Sequence, residues 1–266
     1  MVRSLEKLCD LLFELSNEDR LRILFELEQE NLKLSHISKR LDFTVQETSR
    51  NLSRLLKAQL VNRTTEGSYE ITSYGHQSLR MLSGYQFLSL YSDYFSRHNL
   101  RNLPQKFLTR LGELIGCQPV NQLMESFALV EKMLRDAKEY YLYIAKEPLV
   151  SASGILLARN ALEKGVTGKG IEPIDFVPSK KIMESVPEEV LNDLARHRVK
   201  GNIEHKFLER IDFSLFMNEK EVSFDFPDFK GEFDFHGFTS TDQKTLEWCK
   251  DLFDYYWEKG IQKTTQ

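Results

Sequence analysis

The sequence predicts a chain of two parts: a small helical domain closed by a β-hairpin, then a larger domain in which strands alternate with helices. Three observations carry this reading. Leucines recur at helical spacing from Leu5 to Leu27, and a capped basic helix at Thr44 runs into an alternating segment that turns on Glu66-Gly67-Ser68. From Glu139 onward, short strand-like runs are interleaved with amphipathic ones. At 266 residues there is room for both parts, since a domain takes roughly 100 to 200 residues.

The first helix carries Leu5, Leu8, Leu12 and Leu15, and a second starts near Asn17 and places Leu21, Leu24 and Leu27 on one face. "LSHISKRLDF" predicts a short helix with Ile37 and Leu41 apolar, ended by a tight turn at Asp42 and Phe43. The next helix opens with Thr44 and Glu47 at capping-box spacing, so that hydroxyl and carboxylate satisfy each other's backbone amides. A hairpin over Val61 to Thr72 follows, then a long helix from about Tyr74 that Pro104 ends. Short helices are expected around Leu108 to Ile115 and over Leu123 to Ala137.

"EYYLYIAKEP" reads as a buried strand, "SGILLARNALEKG" as a helix stopped by Gly165, and "IEPIDFV" as a strand whose Pro173 favours an edge. "PEEVLNDLARHRV" is a helix with Pro187 in its first turn, and "RIDFSLFMNEKEVSFDF" is two strands joined at Asn218-Glu219-Lys220. For the last helix, Ser240 and Gln243 repeat the capping spacing, and Leu246, Cys249, Phe253 and Tyr256 form its apolar face. The fold class is therefore α+β followed by α/β. The expected domains are 1–82, a connecting and dimerising segment at 83–105, and 106–266.

With 29% charged residues and no run near the ~18 apolar residues of a membrane helix, a soluble cytoplasmic protein is expected, with no leader peptide and no membrane partner. Cys9, Cys117 and Cys249 are odd in number and widely spaced, which predicts neither disulfides nor a metal pair. The net charge of −4 hides a polarity: residues 33–63 hold seven basic against two acidic side chains, and residues 212–234 hold two against seven. The first segment can meet phosphate and the second repels it.

Helix, turn, capped helix and hairpin is the order of a winged helix-turn-helix. On that reading Thr48, Leu52, Leu55 and Leu56 pack inward. Gln46, Glu47, Ser49, Arg50, Ser53, Arg54 and Lys57 face outward, the leading turns toward base edges and the later bases toward phosphates. Arg63 on the wing strand adds a backbone or minor-groove contact. The segments "ELSNEDRLRILFEL", "LSHISKRLDFTVQETSRNLSRLLKAQLV" and "YEITSYG" resemble the winged-helix domain of ArsR-type regulators. Metal-sensing members of that type carry a cysteine pair on the helix before the turn. Here that helix reads "SHISKRL", so metal sensing by that route is not expected.

In the second half, "FPDFKGEFDF" and "LEWCKDLFDYYWEKG" resemble the archaeal methanogenesis-regulator family, also called the filamentation-regulator family. Its effector domain is distantly similar to that of TrmB regulators. The resemblance covers Gly84 to Leu123 least well. It implies an archaeal transcriptional regulator, a homodimer on double-stranded DNA, with a phospholipase-D-like α/β effector domain.

No catalytic role is expected. The H-x-K pattern of phospholipase-D enzymes is missing, since His205 is followed directly by Lys206 and His197 by Arg198 and Val199; Walker, H-E-x-x-H and G-x-S-x-G motifs are missing too. His236 and Asp234 are too few for a metal site, and no cofactor is expected. An effector pocket is expected where Tyr140, Tyr141 and Tyr143 on one strand meet Phe176 and Phe213 on its neighbours, with Lys146 and Glu147 after the strand supplying polar contacts. Exposed stripes at Leu5, Leu8 and Leu12 and at Leu79, Leu82, Phe87 and Leu90 favour pairing of two chains. The reading from another class is an adaptor whose winged helix docks a protein rather than DNA.

Overall fold

The computed structural model describes residues 2–146 and 151–262. The chain divides into two compact units, Met1–Ser83 and Gly84–Gln266.

The first unit contains α1 (Val2–Leu15), α2 (Glu18–Gln29), α3 (Leu34–Leu41), α4 (Val45–Lys57), the antiparallel pair β1 (Val61–Arg63) and β2 (Tyr69–Ile71), and the start of α5 (Ser73–Leu90). Asn17 caps α2 by accepting from the Arg20 amide, and Asp42 ends α3 in the left-handed region, which swings the chain into α4. Ile23, Leu24, Ile37, Leu52, Leu55 and Leu60 are fully enclosed in one core. Arg20 is buried with them, donating to the carbonyls of Phe13 and Glu14 and pairing with the Glu14 carboxylate at 3.0 Å, which offsets the cost of burying its charge.

The second unit continues through α6 (Ser92–Phe95), α7 (Gln105–Leu108), a 3₁₀ turn at Leu111–Leu114, β3 (Gln118–Val120), α8 (Leu123–Asp136), β4 (Tyr140–Ile144) and α9 (Ala152–Glu163). It then runs through β5 (Thr167–Pro173), α10 (Lys180–Ser185), α11 (Glu188–Val199), β6 (Ile203–Leu208), β7 (Ser214–Asn218), β8 (Val222–Asp225), β9 (Gly237–Ser240) and α12 (Gln243–Lys259). Seven strands form one mixed sheet in the order β3-β9-β8-β7-β4-β5-β6, parallel across β4, β5 and β6 and antiparallel elsewhere. Strand alternation divides the side chains between two layers. Leu142, Ile144, Leu215, Met217 and Phe224 pack with Trp248, Cys249, Leu252 and Phe253 of α12 on one face. Tyr141 and Ile203 pack with α8 and α9 on the other.

Four expectations change. The segment 83–105 is not a separate connector: Phe87 and Leu103 are buried in the core of the second unit, and Leu79 in that of the first, so the stripe read from Leu79 to Leu90 is not one exposed face. Leu90 is exposed, as are Leu5, Leu8 and Leu12. β5 is an inner strand, and Pro173 is tolerated because β5 runs past the end of its pairing with β4 at Ile171 and faces only β6 at Leu208. Ser240 ends β9, and α12 is capped by Asp242, whose carboxylate accepts from the amides of Lys244 and Thr245. Phe213 is fully buried in the α12 layer and Phe176 lies beyond β5 in a turn segment, so neither stands on a strand beside Tyr141 and Tyr143.

Candidate nucleic-acid interface and buried cavity

The cap of α4 forms as its spacing predicts. Thr44 Oγ1 accepts from the Glu47 amide at 3.1 Å, and Glu47 Oε2 accepts from the Thr44 amide at 3.0 Å and its hydroxyl at 2.8 Å. Those bonds, hydroxyl first, hold the Glu47 carboxyl below its usual range and commit it to the cap. Thr48, Leu52 and Leu55 are fully buried, and Asn51, which sequence reasoning did not single out, is buried with them. Gln46, Glu47, Ser49, Arg50, Ser53, Arg54 and Lys57 are all exposed, as is Arg63 on β1.

Exposure does not make these groups equivalent. Arg54 is clamped by both oxygens of Glu14, at 2.5 and 3.0 Å, with its guanidinium 5.1 Å from the centre of the Phe13 ring. Arg40 is held by Glu26 and Glu30. Ser53 donates to the Ser49 carbonyl. Arg50, Lys57 and Arg63 enter no ion pair among the described residues, and Arg63 stands 6.0 Å from the Tyr69 ring. Gln46, Ser49 and Arg50 near the start of the helix, with Lys57 at its end and Arg63 on the hairpin, make an uncommitted polar face.

In the second unit a cavity of about 590 Å³ lies between the sheet and α8, α9 and α11. Tyr141 and Tyr143 line it, as expected. Their position depends on β5: a Cβ at Gly168 or Gly170 would come within 2.3 Å of the Tyr141 and Tyr143 rings, so the two glycines leave room for the rings to lie across the strand. Both rings run nearly parallel to Phe216, at interplanar angles of 7° and 10°.

A directional chain of hydrogen bonds closes one end. Arg198 donates to His205 Nδ1 at 3.0 Å, which leaves Nε2 as the protonated nitrogen to donate to the Tyr143 hydroxyl at 2.9 Å, and Tyr143 donates to Glu172 at 2.5 Å. Burial, helped by the Arg198 charge, lowers His205 to about 4, so it is the neutral ring this direction requires. Burial likewise pushes the Tyr143 hydroxyl well up. At the other end Asp225 lines the cavity from β8, its Oδ2 buried without a hydrogen-bond partner. Burial, with Asp234 adding to it and Ser214 opposing it, pushes Asp225 up to about 8.

The remaining pocket residues fall elsewhere. Lys146 and Phe176 line a second, more polar hollow of about 920 Å³, where Lys146 pairs with Glu232 at 2.7 Å. They are not brought together with Tyr141 and Tyr143, because the strand end carries them past the helical layer. Glu147 lies outside the described residues. Asp225 and His205 were the members that sequence reasoning missed; the signal was β-alternation, which puts Ser223 and Asp225 on the face opposite Val222 and Phe224. Asp234 is shared by His98 and His236 at 3.1 and 3.0 Å, and among the described residues no cluster of three His, Cys, Asp or Glu has the geometry of a metal site. Nor is any described helix long and apolar enough to cross a membrane.

No curated protein matches the chain. Among solved structures it is similar to TrmBL2, an archaeal chromatin protein reported to show a novel mode of DNA binding, at 15% identity over 92% of this chain and 94% of that one, with a TM-score of 0.42. It is also similar to Nuc, a phospholipase D family member from Salmonella typhimurium, at 14% identity over 56% of this chain and all of that one, TM-score 0.39. A family model does match: residues 159–259, from α9 through α12, fit the middle domain of the methanogenesis regulatory protein FilR1. The matched segment holds β5 to β9 and α12.

Proposed function

We propose that the protein is a DNA-binding transcriptional regulator of the archaeal type, a cytoplasmic homodimer that reads a pseudo-palindromic operator. The first unit serves as a winged helix-turn-helix with α4 as reading helix. The second, a phospholipase-D-like effector domain without catalysis, biases the pair through a bound effector. The observation that supports the reading is the uncommitted face of α4: Gln46, Ser49 and Arg50 exposed near a capped helix start, with Lys57 at its end and Arg63 on the hairpin exposed and out of ion pairs among the described residues. The similarity of residues 159–259 to the middle domain of a methanogenesis regulatory protein supports the same assignment. Exposed Leu5, Leu8 and Leu12 on α1 support pairing, which mass measurement in solution tests by returning twice 31.2 kDa.

The decisive experiment is fluorescence anisotropy on DNA from the gene's own upstream region, against scrambled DNA, over a salt series. Tight, sequence-preferring binding that weakens steeply with salt is expected. Arg50→Ala weakens operator binding more than random binding, by about 1–3 kcal/mol, whereas Lys57→Ala weakens both and lowers the salt slope by about one. Equal losses on both DNAs for Arg50→Ala would remove it as a base reader. Weak, sequence-blind binding by the unmodified protein would move the assignment to a protein-docking adaptor.

A further inference from the structure

The cavity in the second unit has a wall chemistry that narrows what can occupy it. Its helical side presents Val130, Leu134, Ile155 and Leu194, and its floor the nearly parallel rings of Tyr141, Tyr143 and Phe216. The lining reaches from Asp225 on β8 to His205 on β6, four strand steps away, which at ~4.8 Å per step is about 19 Å. The space is therefore a trough across the strands, and about 590 Å³ lies within the range of small-molecule sites. A polyhydroxylated ligand finds few partners along it. Ser126 already donates to the Phe235 carbonyl, and the His205–Tyr143–Glu172 chain is satisfied internally.

Among the described residues that line the cavity, the buried polar atom without a partner belongs to Asp225. Its carboxyl is buried, one oxygen has no hydrogen-bond partner, and it enters no ion pair among the described residues. Strand alternation puts it on the cavity side of β8, and the missing side chain of Gly237 makes room for it: a Cβ there would approach Asp225 Cβ to 2.7 Å. The charged neighbour acting on Asp225 is a second acid, Asp234, whose own partners are His98 and His236. An orphaned carboxyl with an acidic neighbour, at the end of an apolar trough away from Arg198, lacks a cation. Once Asp225 is ionised, an anionic head group meets repulsion there, a neutral donor satisfies the hydrogen bond alone, and an ammonium satisfies both hydrogen bond and charge. Arg198, the cation at the far end, is exposed and donates to His205.

We infer that this cavity binds an elongated, largely apolar amine whose ammonium group pairs with Asp225. That the amine acts as effector rests on the regulator reading; that it binds does not.

The test is calorimetric titration of the full chain at about pH 9, where Asp225, pushed up to about 8, is ionised and an alkylammonium at about 10.4 is still protonated, with phenylbutylamine, phenylbutanol and phenylbutyrate, which share an apolar body and differ in head group. The amine is expected to bind about tenfold more tightly than the alcohol, and the carboxylate most weakly, because a charge-assisted bond is roughly twice as strong as a neutral one. Asp225→Asn brings the amine down to the alcohol's affinity and leaves the alcohol's nearly unchanged. Ala158→Phe, which fills the trough from α9, removes binding of both. The inference is overturned if the carboxylate binds as well as the amine, if amine and alcohol bind alike, if none of the three binds, or if amine binding survives Ala158→Phe undiminished. The head-group comparison on the unmodified protein decides the matter even where a variant does not fold. Amine binding with no DNA binding by anisotropy would sink the regulator reading and leave the ligand assignment standing.

Discussion

Asp225 and His205 line one cavity from opposite ends, and they tilt the pH dependence of folding in opposite directions. Asp225 is raised from 3.8 to about 8, chiefly by burial, so the unfolded chain releases this proton at a pH where the folded chain still holds it. Stability from this group is therefore greatest below the unfolded value and falls as pH rises toward 8, by up to about 1.4 kcal/mol per pH unit. His205 is lowered from 6.5 to about 4, so the unfolded chain binds a proton that the folded ring refuses, and stability falls as pH drops through that window. Replacing Asp225 by Asn should raise stability relative to the unmodified protein progressively from about pH 4 to 8. His205→Gln should do so from 6.5 downward. Denaturant unfolding over pH checks both as differences between variant and parent, which removes every other titrating group. A difference that stays flat for Asp225→Asn would show that its carboxyl ionises in the folded state as it does in water. Neither role was legible in the sequence, where Asp225 is one acid of seven in a charged stretch and His205 only failed an enzyme motif.

At the scale of elements, α4 shows how far a pattern reaches. The capping box, the buried Thr48, Leu52 and Leu55, and the outward bases were all legible because they follow from period and spacing within one helix. The fate of Arg54 was not, since Glu14 lies forty positions earlier in the chain and on another helix. Glu14 also holds Arg20, and the Arg54 hydrogen bond is the main reason its carboxyl titrates below the usual range. Glu14→Gln should release Arg54 toward phosphate, raise affinity for operator and random DNA alike, and steepen the salt slope by about one. An unchanged slope would mean that Arg54 stays out of reach of the backbone even when released. The same limit of range explains the missed strands: β3 and β9 are only three and four residues long, and β6 is half exposed at the sheet edge with Glu204, His205 and Lys206 in it. Ser240 was two positions too early for the last cap because capping spacing recurs wherever small polar residues cluster. β4, β7, β8 and the helices α8, α9 and α12 were legible because each buries a regular apolar face.

For the whole molecule, a polar face on one unit and a cavity in the other amount to regulation only if binding at one changes affinity at the other. Linkage makes this a test with two independent readings. If saturating amine changes the operator Kd by some factor, saturating operator must change the amine Kd by the same factor, because both measure one coupling free energy. Couplings of this kind typically fall at about 1–3 kcal/mol, or roughly 5- to 150-fold, well within the reach of anisotropy and calorimetry. The expected outcome is equal factors in that range for the unmodified protein, and factors of one for Ala158→Phe, which no longer takes the amine. Equal factors of one in the unmodified protein would leave DNA binding and amine binding both intact and remove the claim that the cavity is regulatory. A ligand that binds two conformations equally shifts nothing, however tightly it is held.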